Sequence, residues 1–298
     1  RWLKADGQTA WTNKKTGLPY PNVLRISAGD NFTVAVDEDG NVWGWGDNSK
    51  GQLNADPKDR HSSEFPIMLM DNTEYGRFIA VATGAEHVIA VTENGVVYSW
   101  GDNTYGQLSR RGETSTYVDG ENKPLNCYPA GKMMGFTSTP LNNVMDVAAT
   151  ASSSAVLLTN GTVWTWGDNE KGQQGANKDP DLVPSRSSPG EVCDSDGTVL
   201  DDIQSIAAGA DHVVALAKNG VVYTWGSNEH GQLGFDTDEV EYKNAATPVG
   251  GLPSNGMAVY AGAGYSLLLT KNGEVWGWGF NDRGQLGVGY TGRNQTFS

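Results

Sequence analysis

The nine residues Trp45-Gly-Asp-Asn-Ser-Lys-Gly-Gln-Leu53 decide the fold, because close copies of them return four more times along the 298-residue chain. The copies begin at Trp100, Trp166, Trp225 and Trp278, so the steps between successive tryptophans are 55, 66, 59 and 53 residues. Self-similarity at a period of this length is typical of repeat architectures. Each unit is long enough for several secondary-structure elements, and we expect the differences in length to lie in loops.

The residues before each copy predict β-strands joined by tight turns. Two short apolar runs are followed by an Asn-Gly or Asp-Gly pair, which predicts a hairpin with a type I′ turn; the pairs are Asp39-Gly40, Asn94-Gly95, Asn160-Gly161, Asn219-Gly220 and Asn272-Gly273. A third run alternates aromatic and small residues, as in Val42-Trp43-Gly44-Trp45. Alternate residues of a strand share one face, so we expect these aromatic pairs to pack between units rather than to form a ligand cage.

The sequence therefore predicts an all-β chain, a β-propeller of four-stranded antiparallel blades within one domain spanning residues 1–298. The predicted repeats are about 23–77, 78–143, 144–202, 203–256 and 257–298, with long insertions at about 109–140 and 175–201. We expect a five-bladed ring, completed by pairing of the terminal segments. The alternative is that the five repeats are part of a six- or seven-bladed ring.

The combined pattern Gly-x-x-His, Asn-Gly-x-Val and Trp-Gly-x-Asn-x-x-Gly-Gln-Leu-Gly resembles the regulator of chromosome condensation repeat. The resemblance covers about residues 23–287 in five copies, and it implies a propeller. Known members of that family have seven blades. The member that gives the family its name promotes guanine-nucleotide exchange on the small GTPase Ran, so the resemblance implies exchange on, or regulation of, a small GTPase as one alternative function.

Strand direction alternates within a blade, so the loop after the first strand and the loop after the third strand are predicted to emerge on one face. The glycine, asparagine and glutamine residues of the motif recur in every repeat, while the other residues of these loops differ from repeat to repeat. This pattern is typical of a recognition surface on a rigid support. We therefore predict a non-catalytic interaction module that binds a protein or glycan partner, although ordinary solvated turns would also vary. The predicted partner-binding residues are Asn31, Phe32, Lys50, Glu86, Tyr105, Lys171, Asp211, His230, Tyr265, Phe280 and Arg283.

Charge and hydrophobicity limit the possible partners. The formal net charge of −14 repels phosphate backbones, which argues against direct nucleic-acid binding. No stretch approaches the roughly 20 apolar residues of a membrane helix, so membrane insertion is not expected. From the acidity, the few cysteines and a start at Arg1 without methionine, we expect a secreted or cell-surface protein from a bacterium, with a cytoplasmic location as the alternative.

Catalytic and cofactor motifs are not evident in the sequence. His87 and His212 occupy equivalent places in two repeats, and a structural role is favoured over a ligand or base because no third group is suggested. No Gly-x-Ser-x-Gly elbow is present, and no Lys-Ser/Thr pair accompanies the glycine loop of the motif. No enzyme activity, catalytic residue, bound metal or cofactor is therefore predicted, and an enzyme such as a polysaccharide lyase is a distant third possibility.

Two further features leave alternatives open. Cys127 and Cys193 each lie 27 residues after the tryptophan of their repeat, so they could form a disulfide if the two insertions meet, or remain free thiols. Asp194 and Asp196 offer oxygen atoms suited to calcium, but the spacing does not complete a 12-residue calcium loop, which favours a solvated acidic loop. The first insertion, with Arg110, could form a second interaction surface or be simple decoration.

Overall fold

The computed structural model describes residues 12, 20–110, 113–119, 121, 123–133 and 141–292. Within those residues it has nineteen β-strands and one short helix, which confirms the predicted all-β class. The helix, α1 (Asn72–Tyr75), has four residues, and no helix in the described part of the chain is long and apolar enough to cross a membrane.

The strands form five antiparallel sheets that follow one another along the chain, here called blades 1 to 5. Blade 1 contains β1 (Val23–Ala28), β2 (Phe32–Asp37), β3 (Val42–Asp47) and β4 (Ser62–Met70). Blade 2 contains β5 (Phe78–Thr83), β6 (His87–Thr92), β7 (Val97–Asp102) and β8 (Cys127–Lys132). Blade 3 contains β9 (Val144–Ala149), β10 (Ser153–Leu158), β11 (Val163–Asp168) and β12 (Ser185–Glu191). Blade 4 contains β13 (Ile203–Ala208), β14 (His212–Ala217), β15 (Val222–Ser227) and β16 (Tyr242–Pro248), and blade 5 contains β17 (Gly256–Gly262), β18 (Tyr265–Thr270) and β19 (Val275–Gly279).

Blade 5 differs from the prediction of four strands in every blade. It has three strands within the described residues, while blades 1 to 4 each have four in simple sequential order. The extensive strand contacts join each blade only to the next one, from blade 1 through blade 5. The described blades are therefore arranged as a series with two ends, and they do not show the predicted closed five-bladed ring. The predicted pairing of terminal segments falls mainly on residues outside the described ranges.

The hairpin between the second and third strands has a different turn from the predicted type I′. In blade 1, Gly40 N–H donates to Asp37 O at 3.0 Å, and Asp37 N–H donates to Asn41 O at 3.0 Å. Only the glycine has a positive φ, 85° at Gly40, and the same holds for its four counterparts. The loop therefore has three residues. They form a type I turn followed by a glycine in the left-handed region, which restores the strand register.

Blades 2 to 5 are each joined to the preceding blade by a buried indole hydrogen bond. Trp225 Nε1 donates to the backbone carbonyl of Gln173 at 2.9 Å, and Trp225 is 0% exposed. The equivalent bonds run from Trp100 to Gln52 at 2.8 Å, from Trp166 to Gln107 at 2.7 Å and from Trp278 to Gln232 at 2.8 Å. These contacts confirm that the recurring tryptophans pack between blades.

The Asn and Gln of the motif hold the turn that follows the third strand. In blade 1, Asn48 Oδ1 accepts from Leu53 N–H at 2.7 Å, while Asn48 Nδ2 donates to the carbonyl of Arg60 at 2.6 Å. Gln52 Oε1 accepts from Lys50 N–H at 2.7 Å. The turn thus presents the Gln52 carbonyl to the tryptophan of the next blade.

Two buried histidines strengthen alternate interfaces. His87 Nε2 lies 3.0 Å from Ser154 Oγ in blade 3, and His212 Nε2 lies 2.9 Å from Ser266 Oγ in blade 5. Each serine donates its proton to the same glutamine carbonyl that accepts the indole, at Gln107 and Gln232, so the serine oxygen accepts from the ring N–H. Both histidines are 0% exposed. Their burial and their bonds across the interfaces are what a structural role requires.

Replacing Trp225 with phenylalanine should lower the free energy of unfolding by about 2–4 kcal/mol, because a buried carbonyl loses its donor and apolar area is lost. Urea titration followed by tryptophan fluorescence measures the loss. Trp164→Phe is the matched control, since Trp164 Nε1 makes no hydrogen bond in the described structure. An equal loss in both variants would contradict a contribution from the indole bond.

The two histidines should make stability depend on pH. Burial lowers the pKa of His87 to about 4 and that of His212 to about 3, whereas an unfolded histidine titrates near 6.5. The unfolded chain therefore binds more protons below about pH 6.5, so this contribution is complete above that pH and declines as the pH falls toward 4, by up to about 1.4 kcal/mol per pH unit for each histidine.

Urea unfolding at a series of pH values between 7.5 and 4.5 measures this dependence. His212→Gln should reduce the slope of unfolding free energy against pH, while the same change at the exposed His61 should leave it unchanged. A slope that is the same in all three proteins would refute the assignment.

Candidate functional site

The loops after the first and third strands of each blade lie together, as the sequence predicts. In blade 2, Asp102 N–H donates to the carbonyl of Glu86 at 2.9 Å, and in blade 4, Ser227 N–H donates to that of Asp211 at 2.8 Å. Equivalent bonds join these loops in the other three blades. We call this surface the upper face; it comprises residues 29–31, 84–86, 150–152, 209–211 and 262–264 together with 47–52, 102–107, 168–173, 227–232 and 280–285.

A series of backbone hydrogen bonds joins the upper face from blade to blade. Ala85 N–H donates to Ala151 O at 3.0 Å, Ala151 N–H to Ala210 O at 2.7 Å, and Ala210 N–H to Ala263 O at 3.0 Å. Asp30 N–H begins the series with a longer bond of 3.3 Å to Ala85 O. Adjacent loops are therefore fixed relative to one another, which gives the face a rigid support.

A cavity of about 290 Å³ opens at the centre of the upper face. Its lining comes from all five blades and consists mainly of alanine and glycine, with Asp30, Thr83 and Thr150 as the polar side chains. A cavity of this size is at the lower end for small-molecule sites, and the lining has no aromatic or paired catalytic groups. It is a poor candidate for a catalytic pocket.

The predicted partner-binding residues divide by exposure. Asn31, Tyr105 and Arg283 are exposed, and a larger group is half-buried: Lys50, Glu86, Lys171, Asp211, His230, Tyr265 and Phe280. Phe32 is only 3% exposed and belongs to the core with Val34 and Val36. Because Phe32 starts β2 on the side that packs inward, its ring is not available on the face, and the expectation of an exposed phenylalanine there was wrong.

Several half-buried residues contact the neighbouring blade. Lys50 Nζ lies 3.7 Å from carboxylate oxygens of both Glu86 and Asp102 in blade 2. Lys171 Nζ lies 3.8 Å from Glu241 in blade 4. Each lysine is therefore already engaged with carboxylates, and exposed pairs of this kind add little stability.

Blade 5 departs from the acidic pattern of the other blades. Phe280 replaces the Asp or Ser found at the equivalent place, and its ring centre lies 4.7 Å from that of His230 in blade 4. Tyr265 stands where blades 2 and 4 have the buried histidine, and it rests against Gly262 of its own blade, where an added Cβ would lie 2.1 Å from the ring. The rings of His230 and Phe280 thus meet at the junction between blades 4 and 5.

In blades 1, 3 and 4 the residue just before the predicted loop residue is the more exposed of the two, whereas in blades 2 and 5 both are exposed. Every blade places an exposed side chain at this position, and they are Ser49, Thr104, Glu170, Glu229 and Asp282. The sequence shows that two adjacent positions of this loop vary between repeats, Ser49 and Lys50 in blade 1. Which of the two points to solvent depends on where the next blade lies. Sequence reasoning therefore favoured Lys50, Lys171 and His230 over their better exposed neighbours.

The upper face is acidic. Its residues include nine carboxylates against three lysines or arginines. Burial raises the pKa of Asp168 and of Asp211, and for Asp211 a hydrogen bond from Gln173 opposes that rise. The face suits a partner that brings positive charge.

The predicted disulfide and calcium features have simpler explanations. Cys127 is a buried free thiol and Cys193 a half-buried one, so the possible Cys127–Cys193 disulfide is wrong. Asp194 Oδ1 accepts from the N–H groups of Asp196 and Thr198 at 3.0 and 2.9 Å, which closes a turn. In the part of the chain that is described, no group of three or more His, Cys, Asp or Glu side chains is arranged to hold a metal ion.

One basic residue of the first insertion, Arg110, has a structural role. Arg110 is 8% exposed, and its guanidinium donates to the carbonyl of Ser99 at 2.8 Å and to that of Pro129 at 3.3 Å. It fills the space above Gly131, where a Cβ would lie 2.0 Å from the guanidinium. Arg110 therefore ties the insertion to blade 2 instead of forming a free basic surface.

Comparison with known proteins supports the propeller. The profile of the RCC1-like domain matches residues 5–297. The human probable E3 ubiquitin-protein ligase HERC6 is 30% identical over 289 residues, which cover 96% of this chain and 26% of HERC6. The ultraviolet-B receptor UVR8 of Arabidopsis thaliana is 29% identical, with 90% of this chain and 55% of UVR8 covered. The chain thus spans about a quarter to a half of these relatives.

Solved structures show the same fold. Human WBSCR16 superposes with a TM-score of 0.74 at 22% identity, covering 93% of this chain and 67% of WBSCR16. Prp20p of Saccharomyces cerevisiae gives a TM-score of 0.63 at 20% identity, covering 92% of this chain and 75% of Prp20p. With the motif in five copies, the blade-to-blade contacts and the profile match over nearly the whole length, the chain belongs to the RCC1-like domain family of β-propellers.

Proposed function

We propose that this chain is a non-catalytic interaction module that binds a protein partner through its upper face. The observation that carries the proposal is the combination of a fixed backbone series, Asp30 to Ala263, with an exposed position whose side chain varies along the series from serine and threonine to glutamate and aspartate. Rigid support lowers the entropic cost of binding, while variable side chains provide specificity.

The charge of the face favours a basic protein segment as the partner. Three exposed carboxylates, Glu170, Glu229 and Asp282, occupy the same loop position in blades 3, 4 and 5. A glycan is less favoured, because Tyr105 is the one exposed aromatic ring among the predicted binding residues. Prp20p has binding properties to Gsp1p and histones, and a histone provides the kind of basic surface that fits the face proposed here.

We place the protein inside the cell, the alternative considered from the sequence. Free Cys127 and Cys193 are compatible with a reducing compartment. The relatives named above come from human and a plant, so the predicted secreted location in a bacterium has no support from them.

Charge reversal tests the upper face. A triple variant should raise the dissociation constant for purified core histones at least tenfold at about 0.15 M salt, because complementary charge becomes repulsive. It combines Glu170→Lys, Glu229→Lys and Asp282→Lys. Isothermal titration or fluorescence anisotropy measures the dissociation constant.

A matched variant controls for net charge. The control variant changes the same number of exposed carboxylates at the opposite end of the blades, by Glu38→Lys, Asp39→Lys and Glu93→Lys. Its dissociation constant for core histones should remain within about threefold of that of the unaltered chain. Equal weakening by both triple variants would indicate a general charge effect and would refute a site on the upper face.

The second candidate function is guanine-nucleotide exchange, which the family resemblance implies. Release of a fluorescent GDP analogue from Ran, with and without the chain, tests it directly. We expect no acceleration, because the proposed module binds without catalysing exchange. Acceleration that the Glu170/Glu229/Asp282 triple variant abolishes would favour the exchange function at the same face.

A further inference from the structure

A cavity of about 620 Å³ lies in the outer part of blade 1, and none of its lining residues belongs to the upper face. Tyr20, Trp43 and Phe65 bring aromatic rings to its wall, and the remaining apolar lining comes from β4 and from residues 53–55. Its polar lining residues are Asn54, Arg60 and Ser63. A mostly apolar cavity of about 300–1,000 Å³ with a few polar groups is typical of a small-molecule site.

Two small residues open this cavity. Ala55 follows the motif of blade 1 by two residues, where blades 2 and 4 have Arg110 and Phe235. Ser63 pairs with the motif glycine Gly46 across β3 and β4. The residues that pair with the corresponding glycine in blades 2, 3 and 4 are Tyr128, Arg186 and Lys243. Among these four blades, blade 1 alone therefore has a small residue at both positions.

Arginine side chains fill the corresponding space in blades 2 and 3. The Arg110 guanidinium lies over Gly131, where an added Cβ would lie 2.0 Å from it. In blade 3, the Arg186 guanidinium lies over Gly190 in the same way, at 2.1 Å. Blade 1 has Ile67 at the place of these two glycines in the strand pairing. An aliphatic group therefore takes the place of the guanidinium, and the cavity of blade 1 suits an apolar ligand group rather than a cation.

The side-chain amide of Asn48 fixes the wall of the cavity. Its Nδ2 donates to the carbonyl of Ala55 at 3.1 Å and to that of Arg60 at 2.6 Å, which fixes both ends of the loop 55–60. Asn54 is fixed on two sides, because its Nδ2 donates to the carbonyl of Leu69 at 3.1 Å and its Oδ1 accepts from a backbone N–H of blade 2 at 2.8 Å. The cavity is therefore preformed, which lowers the entropic cost of binding a ligand.

Arg60 is the charged residue of the cavity lining, and it is exposed. The motif asparagines of blades 3 and 4 bond the corresponding carbonyls of Val183 and Val240, so the cation is a feature of blade 1. In the described part of the chain, the Arg60 guanidinium makes no ion pair or hydrogen bond. Its N–H groups are available for a planar anion from outside, and a carboxylate matches their geometry.

We propose that this cavity binds a small aromatic carboxylate, with its ring against the apolar wall and its carboxylate on the Arg60 guanidinium. Tyr20 and Trp43 meet edge to face with 5.6 Å between their ring centres, and a further ring extends this packing. The indole Nε1 of Trp43 already donates to Asp37 Oδ2 at 2.8 Å. Recognition of the ligand ring is therefore apolar, and Arg60 supplies the recognition of charge.

A first experiment compares naphthoate with naphthamide, which has the same ring system without the charge. Isothermal titration should show that naphthoate binds about tenfold more tightly than naphthamide, because only the carboxylate gains charge-assisted hydrogen bonds from Arg60. Arg60→Gln should bring the two dissociation constants within about twofold of each other. Lys58→Gln, which changes an exposed basic residue of the same loop, should preserve the difference.

Two results of this titration would overturn the proposal. One is the absence of naphthoate binding to the unaltered chain. The other is equal binding of naphthoate and naphthamide, which would leave Arg60 without a part in recognition.

A second experiment locates the ligand by filling the cavity with side chains that other blades have at the same positions. Ala55→Phe introduces the residue type of Phe235 in blade 4, and Ser63→Tyr that of Tyr128 in blade 2. Each should weaken naphthoate binding by about tenfold or more, because the ring and the new side chain compete for one space. Ala55→Ser leaves the space open and should bind naphthoate within about twofold of the unaltered chain.

Thermal denaturation checks that each variant is folded, with a Tm within about 3 °C of that of the unaltered chain. Unchanged naphthoate affinity in either folded filling variant would place the ligand elsewhere and would refute the assignment. Histone binding is measured at the upper face, so its success or failure does not depend on these results.

Discussion

The hydrogen bond from a buried indole to the glutamine carbonyl of the preceding blade is the contact on which the rest of the structure depends. A tryptophan ring brings a large apolar area into the interface, but its N–H must find an acceptor there. The turn of the preceding blade supplies that acceptor, at Gln173 for Trp225. The same motif therefore encodes both halves of the interface, the donor in one blade and the acceptor in the blade before it. At two interfaces a histidine and a serine add a second bond to the same carbonyl.

This use of the motif leaves few positions free for recognition. The asparagine and glutamine side chains are bonded to the turn itself, as Asn48 and Gln52 show. Lys50 and Lys171 extend to carboxylates of the next blade. What remains is the exposed residue before each of these positions, together with the exposed Tyr105 and Arg283, on a backbone fixed from Asp30 to Ala263. Substitution at Glu170, Glu229 or Asp282 would therefore alter the proposed binding surface without disturbing the interfaces.

The sequence was sufficient for most of the features that depend on local order. The strands, the repeat and the shared face follow from period-two alternation and from five copies of one motif, and the structure bears them out. It was insufficient where a residue's neighbour comes from another blade. Phe32 starts its strand facing the core, and Lys50 bends toward Glu86, but neither direction can be read from spacing within one repeat. The Asp39-Gly40 turn also differed, because a three-residue loop and a two-residue loop place glycine at similar points in the sequence.

Nearest-neighbour packing also explains why the two ends of the blade series differ from its middle. In repeat proteins each unit is stabilised mainly by its neighbours, and terminal units need a polar outer surface to remain soluble. Blades 1 and 5 have no such surface, because Ile26 and Val275 are apolar and more than half exposed. At these positions both blades have apolar side chains, like those buried at the interfaces between blades.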